Sequence, residues 1–165
     1  MIGIRHTHRE LNRFISRVKS DGAGYAIRGE SILPDKEKID KLFHSGLEFF
    51  NQGEYFDAHE EWEELWSKFN VPDRVFVQGL IQATVSFYHL SAGNLKGARN
   101  LMTRAIDKLT KKGPDRGHWS TIQRGTDASN FIEEVKKCYS ELFRINEPGE
   151  FDWELIPKLN RVEES

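Results

Sequence analysis

The chain has 165 residues; 38% are hydrophobic, 12% aromatic and 30% charged, and the formal net charge is −2. That length supports one domain with a real core, and the balanced charge excludes a generally nucleic-acid-binding or halophilic surface. Its one cysteine, Cys138, excludes an internal disulfide and fits a reducing compartment, so the expected location is cytoplasmic.

In chain order, residues 7–19 read as a short amphipathic helix. Leu11, Phe14, Ile15 and Val18 share one side, and Arg5, Arg9, Arg13 and Arg17 repeat every four residues on the other. No apolar core of a secretory signal precedes it. A basic amphipathic helix suits an acidic surface or membrane; the alternative is that its arginines are solvated and its apolar side packs on the main body. Residues 20–34, with Gly22, Gly24, Gly29 and Pro34, read as a loop. The expected division is therefore a basic N-terminal helix and loop over 1–34 and a helical domain over 35–160.

Asp35 suits the N-cap of the next helix, in which Ile39, Leu42, Phe43, Gly46, Leu47 and Phe50 follow helical spacing up to Gly53. A second helix runs to about Phe69. Asn70-Val71-Pro72 turns the chain into a third, which extends to about Ala92. The apolar run Val75 to Leu90 is interrupted by Gln78, Gln82, Thr84, Ser86 and His89, which argues against a membrane span. Gly93-Asn94 turns the chain into a fourth helix, to about Lys112. After a basic loop from Lys111 to Gly125, a fifth follows from Asp127 to Arg144, with Phe131, Ile132, Val135, Cys138, Tyr139, Leu142 and Phe143 on its core side. Phe151, Trp153, Leu155 and Ile156 are expected to dock the tail, which then frays. No strand-like alternation stands out. The predicted fold is all-α: a compact bundle of about five core helices in antiparallel hairpins, plus the short N-terminal helix.

One internal echo supports the hairpins. Gly53-Glu54-Tyr55 to Ala58 parallels Gly93-Asn94-Leu95 to Ala98, forty residues later. In each copy a glycine opens the turn and a small alanine lets two helices approach, as in stacked helical hairpins.

On a helical wheel of the second helix, Tyr55, Ala58, Trp62, Leu65, Trp66 and Phe69 form the core arc, and Asp57, Glu60, Glu61 and Glu64 lie opposite. His59 and Glu63, one turn apart, fall at the edge of the apolar arc. The third helix is apolar almost all round, yet Arg74, Gln78, Gln82 and His89 share a stripe roughly 80° wide. Buried polar groups cost about 1–3 kcal/mol each when unpaired, so the stripe should meet other polar groups. A cluster of His59, Glu63, Gln78, Gln82 and His89 is expected, with Glu60 and Arg74 at its margin. His59, Glu63 and His89 make a two-histidine, one-carboxylate set of the kind that binds zinc or iron. Glu60 could then act as general base to a metal-bound water. The competing reading is a structural network in which the histidines and glutamines hydrogen-bond Glu63 and fix helix register; glutamine is a poor ligand for a soft metal.

The run Gly53-x-Tyr55-x-x-Ala58-His59-Glu60-x-x-Glu63-x-x-Trp66, then Gln78-Gly79-Leu80-Ile81-Gln82, Tyr88-His89 and Gly93-Asn94-x-x-Gly97-Ala98, resembles the domain of unknown function family 309. The resemblance covers about residues 36–110, with an echo at Ile156-Pro157. It implies a small all-helical fold and the label "predicted metal-dependent hydrolase", with zinc, iron or manganese as the metal. By the same resemblance, His59, Glu60, Glu63, Gln78, Gln82 and His89 occupy the family's motif positions. The alternative to an enzyme is a tetratricopeptide-like interaction module with a protein or small molecule as partner. Oligomeric state, substrate and pathway are left open by the sequence.

Overall fold

The structure, a computed structural model, describes residues 32–110, 119 and 122–163. The expected helix over 7–19 with its arginines, residues 20–31 of the expected loop and most of the basic stretch 111–121 lie outside the described residues, whereas residues 32–34, expected as loop, begin the first helix. Five helices follow in order: α1 (Ile32–Gln52), α2 (Tyr55–Lys68), α3 (Arg74–Ser91), α4 (Leu95–Thr110) and α5 (Ala128–Arg144). A two-stranded antiparallel hairpin, β1 (Ile122–Gln123) and β2 (Thr126–Asp127), joins α4 to α5. Each helix packs against the next in the chain. The all-α bundle is as expected, and no helix among the described residues is long and apolar enough to cross a membrane.

The helix ends follow local chemistry. α1 begins three residues before Asp35, which lies in its first turn, where a carboxylate favours the positive end of the helix. Gly53 (φ +81°) ends α1: its N–H bonds to the Phe50 carbonyl, and that of Glu54 to the Phe49 carbonyl. Gly93 (φ +77°) ends α3 through the same pair of bonds, to Leu90 and His89. This is the Schellman closure, which needs a left-handed residue that glycine supplies without strain. The echo in the sequence is thus an echo in backbone geometry: α1–α2 and α3–α4 are two hairpins closed alike.

The aromatic core holds the first hairpin shut. Trp62, Phe43 and Phe50 are fully buried. The Trp62 indole lies over Gly46, where an added Cβ would meet its Nε1 at 2.5 Å. From that position Nε1 donates to the Phe43 carbonyl at 3.0 Å. Phe50 is the hub: its ring lies 5.6 to 6.2 Å from those of Tyr55, Trp62, Phe87 and Phe131, contributed by α2, α3 and α5.

Two features depart from the sequence-based expectation. The stretch before α5 is a hairpin rather than plain loop. Arg124 (φ +52°) and Gly125 (φ +69°) form its turn, and Arg124 is the non-glycine residue with positive φ among those described. Arginine is not a turn former, and two-residue strands are too short to alternate, so no signal announced it. What holds Arg124 there is Asp73, just before α3. The guanidinium donates twice to this carboxylate, both times at 2.6 Å, and Gln123 adds a third bond at 3.0 Å. The side chains are 15% and 7% exposed, and the guanidinium also lies 5.3 Å from the Phe43 ring. The second departure is on the outside: Phe143 and Trp153, both expected to be buried, are 50% and 44% exposed. Phe143 instead packs its ring, tilted by 44°, against Tyr139 with the centroids 4.8 Å apart.

The tail stays ordered further than expected. The Asn51 side chain donates to the Leu159 carbonyl and accepts from the Leu159 N–H, at 3.1 and 2.9 Å. Beyond it Arg161 bridges to Thr126 of β2, and Val162 N–H donates to the Gly125 carbonyl. Cys138 is buried as expected; burial pushes its thiol up to about 12, so it stays protonated and unreactive.

Gly46→Ala should cost about 1–3 kcal/mol, because the new methyl displaces the Trp62 ring in a filled core. Urea unfolding checks this, and an unchanged midpoint would mean that α1 and α2 separate at no cost. Removing either Asp73 or Arg124 should cost about 3–5 kcal/mol, while removing both should cost less than the sum. A double-mutant cycle giving strictly additive losses would contradict the buried pair.

Candidate functional site

Helices α2 and α3 pack against each other, and both carry buried polar residues of the cluster expected from the sequence. The Phe56 and Tyr88 rings, 5.9 Å apart, set the start of α2 against the end of α3. Of the residues expected there, His59, Gln82 and His89 are buried, Glu63, Gln78 and Arg74 half-buried, and the Glu60 side chain 61% exposed. Buried polar residues on both helices are what an all-round apolar α3 with one polar stripe requires.

His59 has its Nδ1 3.5 Å from Glu60 Oε1 and its ring edge-on to Phe56 at 5.6 Å. Burial lowers its pKa to about 4, partly offset by a hydrogen bond to the Phe56 carbonyl. The imidazole is therefore neutral at pH 7. The carboxylate beside Nδ1 favours the proton there, which places the lone pair on Nε2.

His89 has the opposite polarity, and Asn94 sets it. The Gly97 N–H donates to Asn94 Oδ1 at 2.8 Å, which fixes that atom as the amide oxygen. Asn94 Nδ2 then faces His89 Nδ1 at 3.0 Å. An amide nitrogen only donates, so Nδ1 accepts and the ring proton sits on Nε2. Gly97 makes room for this: an added Cβ there would meet Asn94 Nδ2 at 2.6 Å and His89 Nδ1 at 2.9 Å. Asn94 thus caps α4 and holds the last turn of α3 at once.

Arg74 takes no such part. Its guanidinium stacks on the Trp66 ring at 4.1 Å from the centroid and donates to the Phe69 carbonyl at 3.3 Å. Among the described residues, Trp66 Nε1 and Gln82 Oε1 are buried with no hydrogen-bond partner. No group of three or more His, Cys, Asp or Glu among the described residues is placed to hold a metal ion. On His89 the Asn94 contact leaves the ring proton on Nε2, where a metal ligand needs a lone pair.

Sequence reasoning passed over Asn94 as a bare turn residue. The signal was present: an asparagine directly after a helix-ending glycine, with a second glycine three positions on, is an N-cap spacing. Asp73 and Arg124 are fifty-one positions apart and carried no local signal.

Residues 43–101 match the family described as Domain of unknown function (DUF309). The match supports assignment to that family, and His59, Glu60, Glu63, Gln78, Gln82 and His89 all fall within the matched segment. The chain is also similar to the uncharacterized protein YpuF of Bacillus subtilis (strain 168), with 29% identity over 101 residues, 61% of this chain and 55% of that protein. The similarity thus spans about half of the relative's length.

The His59 environment sets a pH dependence. Its folded pKa, about 4, lies below the ordinary 6.5, so the unfolded chain takes up the proton first as the pH falls. The stability it contributes is complete above pH 6.5 and declines between 6.5 and 4, by roughly 2–3 kcal/mol at pH 4.5. Urea unfolding from pH 7 to 4.5 should show this fall in the wild type and a shallower one in His59→Gln. Parallel curves would mean that the imidazole is not held neutral.

Proposed function

We propose that this chain is a non-catalytic helical-hairpin module, in which the His/Gln seam locks two neighbouring hairpins and the outer faces meet a protein partner. The observation that carries this reading is the Asn94 bridge. It engages His89 Nδ1 in closing the α3–α4 turn and leaves a proton, not a lone pair, on Nε2. Two successive helical hairpins, each closed by a glycine turn, are similar to the stacked hairpins of tetratricopeptide-like interaction modules, which supports the same reading by analogy of fold.

The competing reading, a metal-dependent hydrolase using His59, Glu63 and His89 with Glu60 as base, draws support from the neutral His59 and from Glu63 one turn further along. It requires His89 to give up its Nε2 proton and Glu60 to turn inward from a solvated position. Metal titration separates the two. Adding zinc, manganese or iron should leave the melting temperature unchanged, and Asn94→Ala and His89→Ala should each lose about 1–3 kcal/mol of stability. Saturable binding of one metal per chain, abolished by His59→Ala and His89→Ala, would overturn the module reading and establish the metal site.

A further inference from the structure

We draw no further inference here: the strongest candidate, the patch of exposed Phe143 and half-buried Tyr139 at the C-terminal end of α5 beside Arg99, carries none because nothing in the structure shows what covers it.

Discussion

Everything in this bundle follows from how closely α1 and α2 approach, and the Trp62 indole decides that. A ring this large can enter the interface only where the facing residue has no side chain, and Gly46 is that residue. The contact has a polar side as well. The indole N–H, which would be costly to bury unpaired, reaches the Phe43 carbonyl. With Trp62 in place, Phe50 can touch rings from α2, α3 and α5 together. The position of His59, three residues before Trp62 on the same helix, is then a consequence rather than an independent choice. One turn apart on that helix, His59 and Trp62 are both buried.

The two hairpins share their closure but differ in chemistry. Where the first has Phe49, Glu54 and Asp57, the second has His89, Asn94 and Gly97. The first closes with no side-chain cap on α2. The second replaces an aromatic ring with an imidazole and supplies the asparagine and glycine that the imidazole needs. A buried histidine costs free energy unless its nitrogens are matched, so the three differences form a set. This is why the His/Gln seam is better understood through the turn beside it than through its titratable residues alone.

Much of the fold was legible because helical periodicity and glycine punctuation are local. Leu42, Phe43, Leu47 and Phe50 on α1, and Ala98, Leu101, Met102 and Ala105 on α4, are buried as their spacing predicts. Two kinds of feature were hidden. Phe143 looks like a core residue in a list of apolar positions, but its exposure depends on where α5 lies against the rest of the bundle. Arg124 looks like a solvated base, and only the fold brings it to Asp73. In the seam, the burial of His59, Gln82 and His89 was readable from the polar stripe on an apolar helix. The proton positions were not, because they depend on the amide orientation of Asn94 and hence on a single backbone N–H. Arg74 shares the stripe of Gln78 and Gln82, yet its guanidinium stacks on the Trp66 ring.

Asn51 has one further consequence. Its amide grips the backbone of Leu159, 108 positions away, in the way one strand pairs with another. Helical hairpins form from near neighbours and zip quickly, whereas a ring of that size carries a large closure entropy that nothing local repays. The clasp at the end of α1 should therefore fasten last, once the helices it encircles are already in place. Because it joins Leu159 to α1, the segment around Leu159 cannot peel away without breaking both bonds to Asn51.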